Sequence, residues 1–292
     1  MNIQKERTAI QYLKLMGGGE NDPYYLAYSG GKDSDVILAL AKIAGVHFDA
    51  VHNLTTVDAP ETVYHVRSHP EVIIERPERT MWQLIVDKMI PPTRLARYCC
   101  SELKERGGQC RKVVTGVRWA ESQKRRDNAG YANIIGKPKT TQAKAEELGA
   151  EYEVSKQGGM ILNNDNDETR KLVEHCYKQS KVLINPIVEW TDSDVWEFIR
   201  HYGIKVNPLY ECGYKRVGCI GCPFARPKKR LLDFARYPKY KSNYIKAFER
   251  MIERRKETGK DNKVNWSTGE AVFNWWLQYD DTQLKFEGFE DF

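Results

Sequence analysis

Apolar positions fall in short runs along the chain, and the runs alternate between helical and strand spacing. Residues 3–16 place Ile3, Ile10 and Leu13, with Met16 at the end, on one side of a helix. Gly17, Gly18 and Gly19 then form a flexible link. Tyr25, Leu26, Ala27 and Tyr28 follow, a run suited to a buried strand. Val36, Ile37, Leu38, Leu40 and Ile43 continue as a helix, and a second strand is predicted at about Phe48 to Leu54. A turn with Asp58 and Pro60, a helix through Val63 and Val66, and a strand over Val72 to Ile74 come next. Trp82, Ile85, Val86 and Met89 again recur at helical spacing. Strands alternating with helices predict an α/β fold, a Rossmann-like parallel sheet with helices on both faces.

Pro91 and Pro92 interrupt this pattern. Arg94, Arg97, Cys99 and Cys100 then lead into a short helix that Gly107 and Gly108 end, ahead of a strand over Lys112 to Val117. Residues 126–158 are polar, Lys-rich and weakly patterned, and read as an insertion or mobile loop. Met160 to Leu162 has the form of a short edge strand, and Glu168 to Tyr177 of a helix with Leu172, Val173 and Cys176 inward. After a strand at Val182 to Ile184, Thr191 opens and caps a helix, Asp194 three residues on completing a capping-box-like pattern, with Val195, Phe198, Ile199 and Tyr202 as its buried face. Residues 226–260 are strongly basic and helical in pattern, and the tail after Trp276 turns acidic.

Composition narrows the class. The 292 residues suffice for one large domain or a domain with an appendage, and a 41% hydrophobic content reads as globular. The division predicted is 1–208 for the α/β domain and 209–292 for a small Cys-rich and helical C-terminal region. No apolar run reaches the roughly 18 residues of a membrane helix. Residues 1–16 mix Lys5, Glu6, Arg7 and Lys14 with apolar positions, unlike a signal peptide, so the expected compartment is the cytoplasm. A net charge of +6 suits an anionic substrate or nucleic acid without selecting either.

The segment Tyr24 to Ser34, YYLAYSGGKDS, reads as strand, glycine turn and helix start. Unpaired N–H groups and the positive end of a helix dipole make such a turn a phosphate site, and Lys32 adds a charge. Ser29, Gly30, Gly31, Lys32, Asp33 and Ser34 are the candidate nucleotide-binding residues. The spacing is not that of a Walker A loop. An ordinary glycine turn is the plainer alternative. SGGKDS resembles the pyrophosphate loop of the adenine-nucleotide alpha-hydrolase superfamily, whose Rossmann-like fold is of the HUP type.

Seven cysteines are unevenly placed. Cys219 and Cys222 form a C-x-x-C, compatible with zinc, a redox dithiol or an iron–sulfur cluster. Cys99 and Cys100 are adjacent. Neighbouring side chains fit poorly on two corners of one zinc tetrahedron but reach two irons of a cubane. The set Cys99, Cys100, Cys219 and Cys222 therefore favours a [4Fe–4S] cluster, with Cys212 as a substitute for one of the adjacent pair. Zinc and unrelated buried thiols are the alternatives. Cys110 and Cys176 read as structural.

Over about 24–223 the chain resembles the phosphoadenosine phosphosulfate (PAPS) reductase family. The resemblance rests on Ser29 to Ser34, on Pro60, Glu61 and Thr62, and on Thr115, Gly116, Arg118, Ser122 and Arg125. It extends through Asn185, Pro186, Trp190, Thr191, Asp194, Val195 and Trp196, then Asn207 to Tyr210. The cysteine pattern looks like the iron–sulfur, APS-reductase-like branch, which implies cluster ligands at Cys99, Cys100, Cys219 and Cys222. Lys32, Arg118 and Arg125 are then the candidate catalytic cations, the arginines gripping phosphate or sulfate oxygens in bidentate fashion. Surface charge is the plainer reading of either arginine. Lys104, four residues after Cys100, is a candidate to balance thiolate charge, a surface-helix lysine being the alternative.

Two features depart from the family. Its reductases carry a nucleophilic cysteine in a C-terminal Glu-Cys-Gly-Leu motif, and no cysteine follows Cys222 here. Where members often have Asp-Thr-Gly, this chain has Thr55, Thr56, Val57 and Asp58. The expected function is that of a PAPS/APS-reductase-like enzyme of sulfur metabolism, binding ATP, APS or PAPS, with Mg2+ as a candidate companion and a thiol reductant or sulfur donor as partner. The missing cysteine favours an alternative, an ATP pyrophosphatase-type enzyme that adenylates and thiolates nucleic acid. A third reading is a nucleotide- and cluster-dependent binding module without turnover. In 226–260, Lys228, Lys229, Arg230, Arg236, Lys239, Lys241, Lys246, Arg250, Arg254 and Arg255 interleave with Tyr237, Tyr240, Tyr244 and Phe248. Such a surface suits nucleic acid, although a solvated helix packing its rings inward is the plainer reading.

Overall fold

Asn2 caps the first helix, α1 (Ile3–Met16), by accepting the Lys5 N–H at 3.2 Å. Its buried face is Ala9, Tyr12, Leu13 and Met16, whereas Ile3 is exposed. The i, i+3, i+4, i+7 stripe thus runs through a small residue and a tyrosine, which is why counting aliphatic side chains placed it a little to one side. In this computed structural model, residues 2–135, 138–156, 159–176, 181–260 and 266–278 are described. The acidic tail predicted after Trp276 lies almost wholly outside them, as does Tyr177.

The elements alternate as β1 (Tyr24–Ala27), α2 (Lys32–Ala44), β2 (Phe48–Asn53), α3 (Pro60–Arg67) and β3 (Val72–Glu75). Next come α4 (Met81–Lys88), α5 (Tyr98–Leu103), β4 (Lys112–Val114), α6 (Gln123–Arg126), β5 (Ala132–Ile135), α7 (Pro138–Leu148), β6 (Glu153–Val154) and β7 (Met160–Leu162). The chain continues through α8 (Asp167–Cys176), β8 (Lys181–Ile184), α9 (Asp192–His201), α10 (Pro227–Arg236), α11 (Pro238–Glu257) and α12 (Gly269–Leu277). By contacts they form two units: 1–52, 61–74 and 107–217 in the first, and 53–60, 75–106 and 218–292 in the second. Where the sequence pattern predicted one boundary near residue 208, the second unit also takes two segments from within 1–208.

The sheet has the order β3-β2-β1-β4-β8-β5-β7-β6. Pairs β1–β2, β1–β4 and β4–β8 are parallel, with Leu26 opposite Ala50 on one side and Val114 on the other. This is the α/β, Rossmann-like core that the alternating pattern predicts. Beyond β8 the sheet turns antiparallel through β5, β7 and β6. Residues 126–158, expected as an insertion or loop, therefore supply β5, α7 and β6. The reason is local. Ala132 and Ile134 carry one buried face of β5, and the polar Asn133 between them hides the run from a hydrophobicity reading. Met160–Leu162 is accordingly next to the edge, which β6 occupies.

Alternation along β1 sends Tyr24 and Leu26 to one face, where they join the main core with Leu13, Val36, Ile37, Leu40, Val114, Ile184 and Phe198. Tyr25 points the other way, to a small cluster with Val51 and Val113. The strand order reverses at β1, so the crevice past the carboxyl ends of β1 and β4 is the topological switch point where such sheets bind ligands. The capping box of α9 forms as predicted: Thr191 Oγ1 accepts the Asp194 N–H at 3.2 Å, and Asp194 Oδ2 accepts the Thr191 N–H at 2.7 Å. Tyr202 sits at its C-terminal end and is exposed rather than buried.

In the second unit α4 packs on α11, and α11 packs on α10 and α12. Tyr244, Phe248, Phe234, Phe273 and Trp276 form its aromatic core, and the Trp276 indole N–H donates to Pro92 O at 2.6 Å. Among the described residues, no helix is long and apolar enough to cross a membrane.

Candidate functional site

The Ser29–Gly31 turn joins β1 to α2 at the switch point. Gly30 has φ +74°, and a Cβ there would lie 3.0 Å from the side-chain methyls of both Thr62 and Val66, so glycine is required on two counts. The Ser34 hydroxyl donates to Gly31 O at 2.7 Å and accepts the Gly31 N–H at 3.1 Å. The buried Asn207 amide donates to Gly30 O and to Thr62 Oγ1, both at 3.0 Å. Tyr210 accepts the Lys32 N–H at 2.9 Å. The turn is thus held from α3 and from the Asn207–Tyr210 segment, which sequence reading placed in a family motif without a role. Gly116 lets the strand-end loop after β4 approach α2; its Cβ would meet Asp33 atoms at 3.0 Å.

Two cations and two carboxylates alternate beside the turn. The buried Lys32 ammonium lies 3.0 Å from Asp33 and 3.3 Å from Asp192. Arg118, 2% exposed, donates from Nε to Asp33 at 2.8 Å, from Nη1 to Trp190 O at 3.1 Å and from Nη2 to Asp192 at 2.7 Å. Desolvation works to raise the Asp192 pKa. The hydrogen bond from Arg118 and the charges of Arg118 and Lys32 outweigh it and hold the group below the usual carboxylate range. The Asp192 side chain is 71% exposed, so it can leave. Arg125 is half-buried and pairs with Glu121 at 3.0 Å; burial pushes its pKa down despite that pair, and Arg216 adds to the fall.

Lys32, Asp192, Trp196, Tyr210, Gly213, Tyr214 and Lys215 line a cleft of about 370 Å³, within the size range of small-ligand sites. Trp196 stands edge-on to Tyr210 with ring centroids 5.3 Å apart. Asp192, Tyr214 and Lys215 were not singled out from the sequence. Their only signal there is position, next to the Thr191 cap and after the Asn207–Tyr210 motif.

The second unit gathers four cysteines. Cys99 and Cys100 stand on α5, and Cys219 and Cys222 in a turn ahead of α10, where the Cys222 N–H donates to Cys219 O at 3.3 Å. The turn is fastened by Ile220 N–H to Val57 O at 2.8 Å and by the Tyr244 hydroxyl to Ile220 O at 3.1 Å. The Cys219 thiol donates to Thr55 Oγ1 at 3.5 Å. A hydrogen bond to Cys100, burial, and the charges of Cys100, Cys219 and Cys222 push the Cys99 thiol up. The same hydrogen bond brings Cys100 down to about 6, with Arg97 and Lys104 helping against burial. Lys104 is accessible to solvent, yet its ammonium hydrogen-bonds Cys219, and the charges of Cys219, Asp58 and Cys222 raise its pKa. Among the described residues, no three of these sulfurs lie mutually within 4.8 Å; a zinc tetrahedron with bonds of about 2.3 Å spaces them about 3.8 Å apart.

Cys212 belongs to the first unit, is exposed and precedes Gly213 of the cleft. Cys176 is buried on α8, and Cys110 sits exposed in a turn at φ +53° rather than inside an element. Of the 226–260 side chains, Tyr244 and Phe248 are core, and Arg230 and Arg255 are buried and donate to Trp276 O and Met89 O. Lys228, Lys239, Lys241, Lys246, Arg250 and Arg254 are exposed.

An uncharacterised protein of Methanocaldococcus jannaschii is 27% identical over 224 residues, 75% of this chain and 40% of that protein. The adenosine 5'-phosphosulfate reductase of Allochromatium vinosum is 46% identical over 39 residues, 13% of this chain and 15% of that one. The chain spans less than half the length of these curated relatives. A solved PAPS reductase of Candida auris, a phosphate complex, is 18% identical with a TM-score of 0.39, over 67% of this chain and 80% of that one. The model of the phosphoadenosine phosphosulfate reductase domain matches residues 23–225, which take in the phosphate turn, the cleft and all four cysteines of the second unit. The chain therefore belongs to the phosphoadenosine phosphosulfate reductase domain family.

Proposed function

We propose that this chain is a PAPS/APS-reductase-like enzyme that binds an adenine nucleotide at Ser29–Ser34 and holds a [4Fe–4S] cluster on Cys99, Cys100, Cys219 and Cys222. The observation that carries the reading is that these four cysteines, distant in sequence, come into one electrostatic group beside the Lys104 ammonium. Four thiols gathered from distant segments, with a cation to offset thiolate charge, suit a cubane. When bound, the cluster supplies a redox-capable anionic centre.

Lys32 and the positive end of the α2 dipole would draw the phosphates, with Asp192 moving out into solvent as the anion arrives. Arg118 would position Asp33 and Lys32 rather than touch the ligand, since its three hydrogen bonds already have acceptors. Arg125, paired with Glu121, is the better sulfate grip. Reduction needs a thiolate to attack the sulfate sulfur. The S–O bond to the nucleotide breaks as the new S–S bond forms, and AMP or its 3'-phosphate leaves. A second thiol, from an external reductant, then takes the first sulfur, forming a disulfide and releasing sulfite. Cys212, exposed and next to Gly213 of the cleft, is the candidate nucleophile.

The test is product identity. Anaerobic, iron-replete protein is incubated with a thiol reductant and ATP, APS or PAPS in parallel. Sulfite from APS or PAPS that Cys212→Ser abolishes, with AMP affinity unchanged, supports the proposal; unaltered sulfite release in that variant removes Cys212 from it. Pyrophosphate and AMP from ATP without sulfite would favour a second reading, sulfur transfer to nucleic acid. Exposed lysines and arginines on α10 and α11 support that alternative. With Tyr244 and Phe248 internal, phosphate contacts would carry such binding.

A further inference from the structure

One polar group of the first unit has no part in either site. The Tyr28 hydroxyl, just past β1, donates to Asp35 Oδ1 on the first turn of α2 at 2.5 Å. His65 on α3 places Nε2 3.0 Å from the same oxygen and 3.2 Å from the Tyr28 hydroxyl. His69, four residues on and just past the end of α3, sets its ring centroid 4.9 Å from that of His65 and 5.4 Å from that of Tyr28. One ligand atom each from Asp35, His65 and His69 lies within 4.8 Å of the other two.

Asp35 and His65 are 2% and 3% exposed, and His69 is half-buried, which gives the group an opening to solvent. Three of its polar atoms, Asp35 Oδ2, His65 Nδ1 and His69 Nε2, are buried without a hydrogen-bond partner among the described residues. Folded proteins rarely leave such atoms unsatisfied, and three in one cluster call for an explanation. Two imidazoles at i and i+4 with a carboxylate from another helix are the donor set of zinc and its neighbours in the transition series.

We propose that Asp35, His65 and His69 bind one divalent transition metal of the zinc type, with solvent completing the coordination and Tyr28 hydrogen-bonded to the Asp35 carboxylate. The ion would tie the first turn of α2, four residues after Gly31 ends the phosphate turn, to α3, whose Thr62 and Val66 already pack on Gly30. It would act as a structural clamp under the nucleotide turn. It stands apart from the cysteine centre in ligands and in chemistry.

The probe is zinc or cobalt(II) added to full-length, iron-replete protein after chelator treatment that leaves the iron in place. The expected result is one ion bound per chain, a zinc-dependent rise in melting temperature, and cobalt bands of a nitrogen–oxygen site without thiolate-to-cobalt charge transfer. His69→Gln and His65→Gln should each weaken zinc at least tenfold while leaving iron content unchanged. Should either variant fold poorly, ring-nitrogen NMR of the intact protein replaces it: zinc must shift the His65 and His69 resonances. Zinc binding that persists in both variants, that vanishes only on replacing cysteines, or that is absent at micromolar metal would overturn the proposal. The group would then be a hydrogen-bonded triad alone.

Discussion

Lys32 and Arg118 bring like charges to the same two carboxylates and use them differently. Lys32 has a compact ammonium beside the cleft, and one of its partners, Asp192, is mostly in solvent. Arg118 is enclosed, with Nε, Nη1 and Nη2 each committed to an acceptor. Replacing Lys32 by Met should therefore weaken AMP or APS by about 10–100-fold, the worth of a charged hydrogen bond, and lower the melting temperature less than a change at Arg118 does, since Asp33 and Asp192 keep Arg118. Arg118→Lys should do the reverse. A lysine cannot span Asp33, Trp190 O and Asp192, and breaking a buried pair costs on the order of 3 kcal/mol, a fall of roughly 5–10 °C in melting temperature. Calorimetric binding and thermal melts on both variants check the split; equal effects on affinity and stability in the two would refute it. From the sequence both residues read as phosphate grips, because a motif reports which residues are near a site and not which of them are already engaged. Asp192 was missed for the same reason: nothing in the string shows that a carboxylate next to a helix cap will face Lys32.

At the scale of elements, the phosphate turn is the part most legible in sequence, since its geometry is made by residue types with few substitutes. Gly30 tests this. An alanine there must adopt φ near +74° and place its methyl against Thr62 and Val66. The left-handed conformation alone costs about 1–2 kcal/mol, so Gly30→Ala should lower the melting temperature by roughly 2–8 °C and weaken nucleotide at the same time. A variant that keeps wild-type affinity would mean that the turn does not carry the phosphates. Elements set by tertiary partners were less legible. β5 hides behind Asn133, whose side chain accepts the Gly130 N–H at 3.1 Å and the Asn185 amide at 2.9 Å, so a polar residue is buried in mid-strand. The basic stretch over α10 and α11 read correctly as helical, but only its packing shows that Arg230 and Arg255 are internal. The Asp35, His65 and His69 group had no sequence signal beyond the spacing of two histidines.

At the scale of the whole molecule, each unit has its own core, and the four gathered cysteines lie in the second. If a cluster binds those thiols only in the folded chain, its binding energy adds to the stability of that unit. Cluster removal by oxidation and chelation should then lower hydrogen-exchange protection in α11 and α12 while protection in α2 and β1 stays as it was. Arg230 sharpens this into a test of sign. It is 1% exposed, its Nε and Nη2 have no hydrogen-bond partner among the described residues, and burial lowers its pKa to about 10 while the charge of nearby Cys222 works the other way. Without a cluster it is a buried charge poorly compensated, and Arg230→Met, which also gives up the bond to Trp276 O, should be neutral or stabilising. With cluster thiolates and sulfides nearby, the two spare N–H groups gain acceptors and the charge gains a counterion. The same substitution should then destabilise the loaded protein and speed iron loss. Melting curves of wild type and Arg230→Met, each with and without iron, give four numbers. A change of sign on loading supports a cluster on Cys99, Cys100, Cys219 and Cys222, whereas the same shift in both states would place the arginine's missing partners elsewhere.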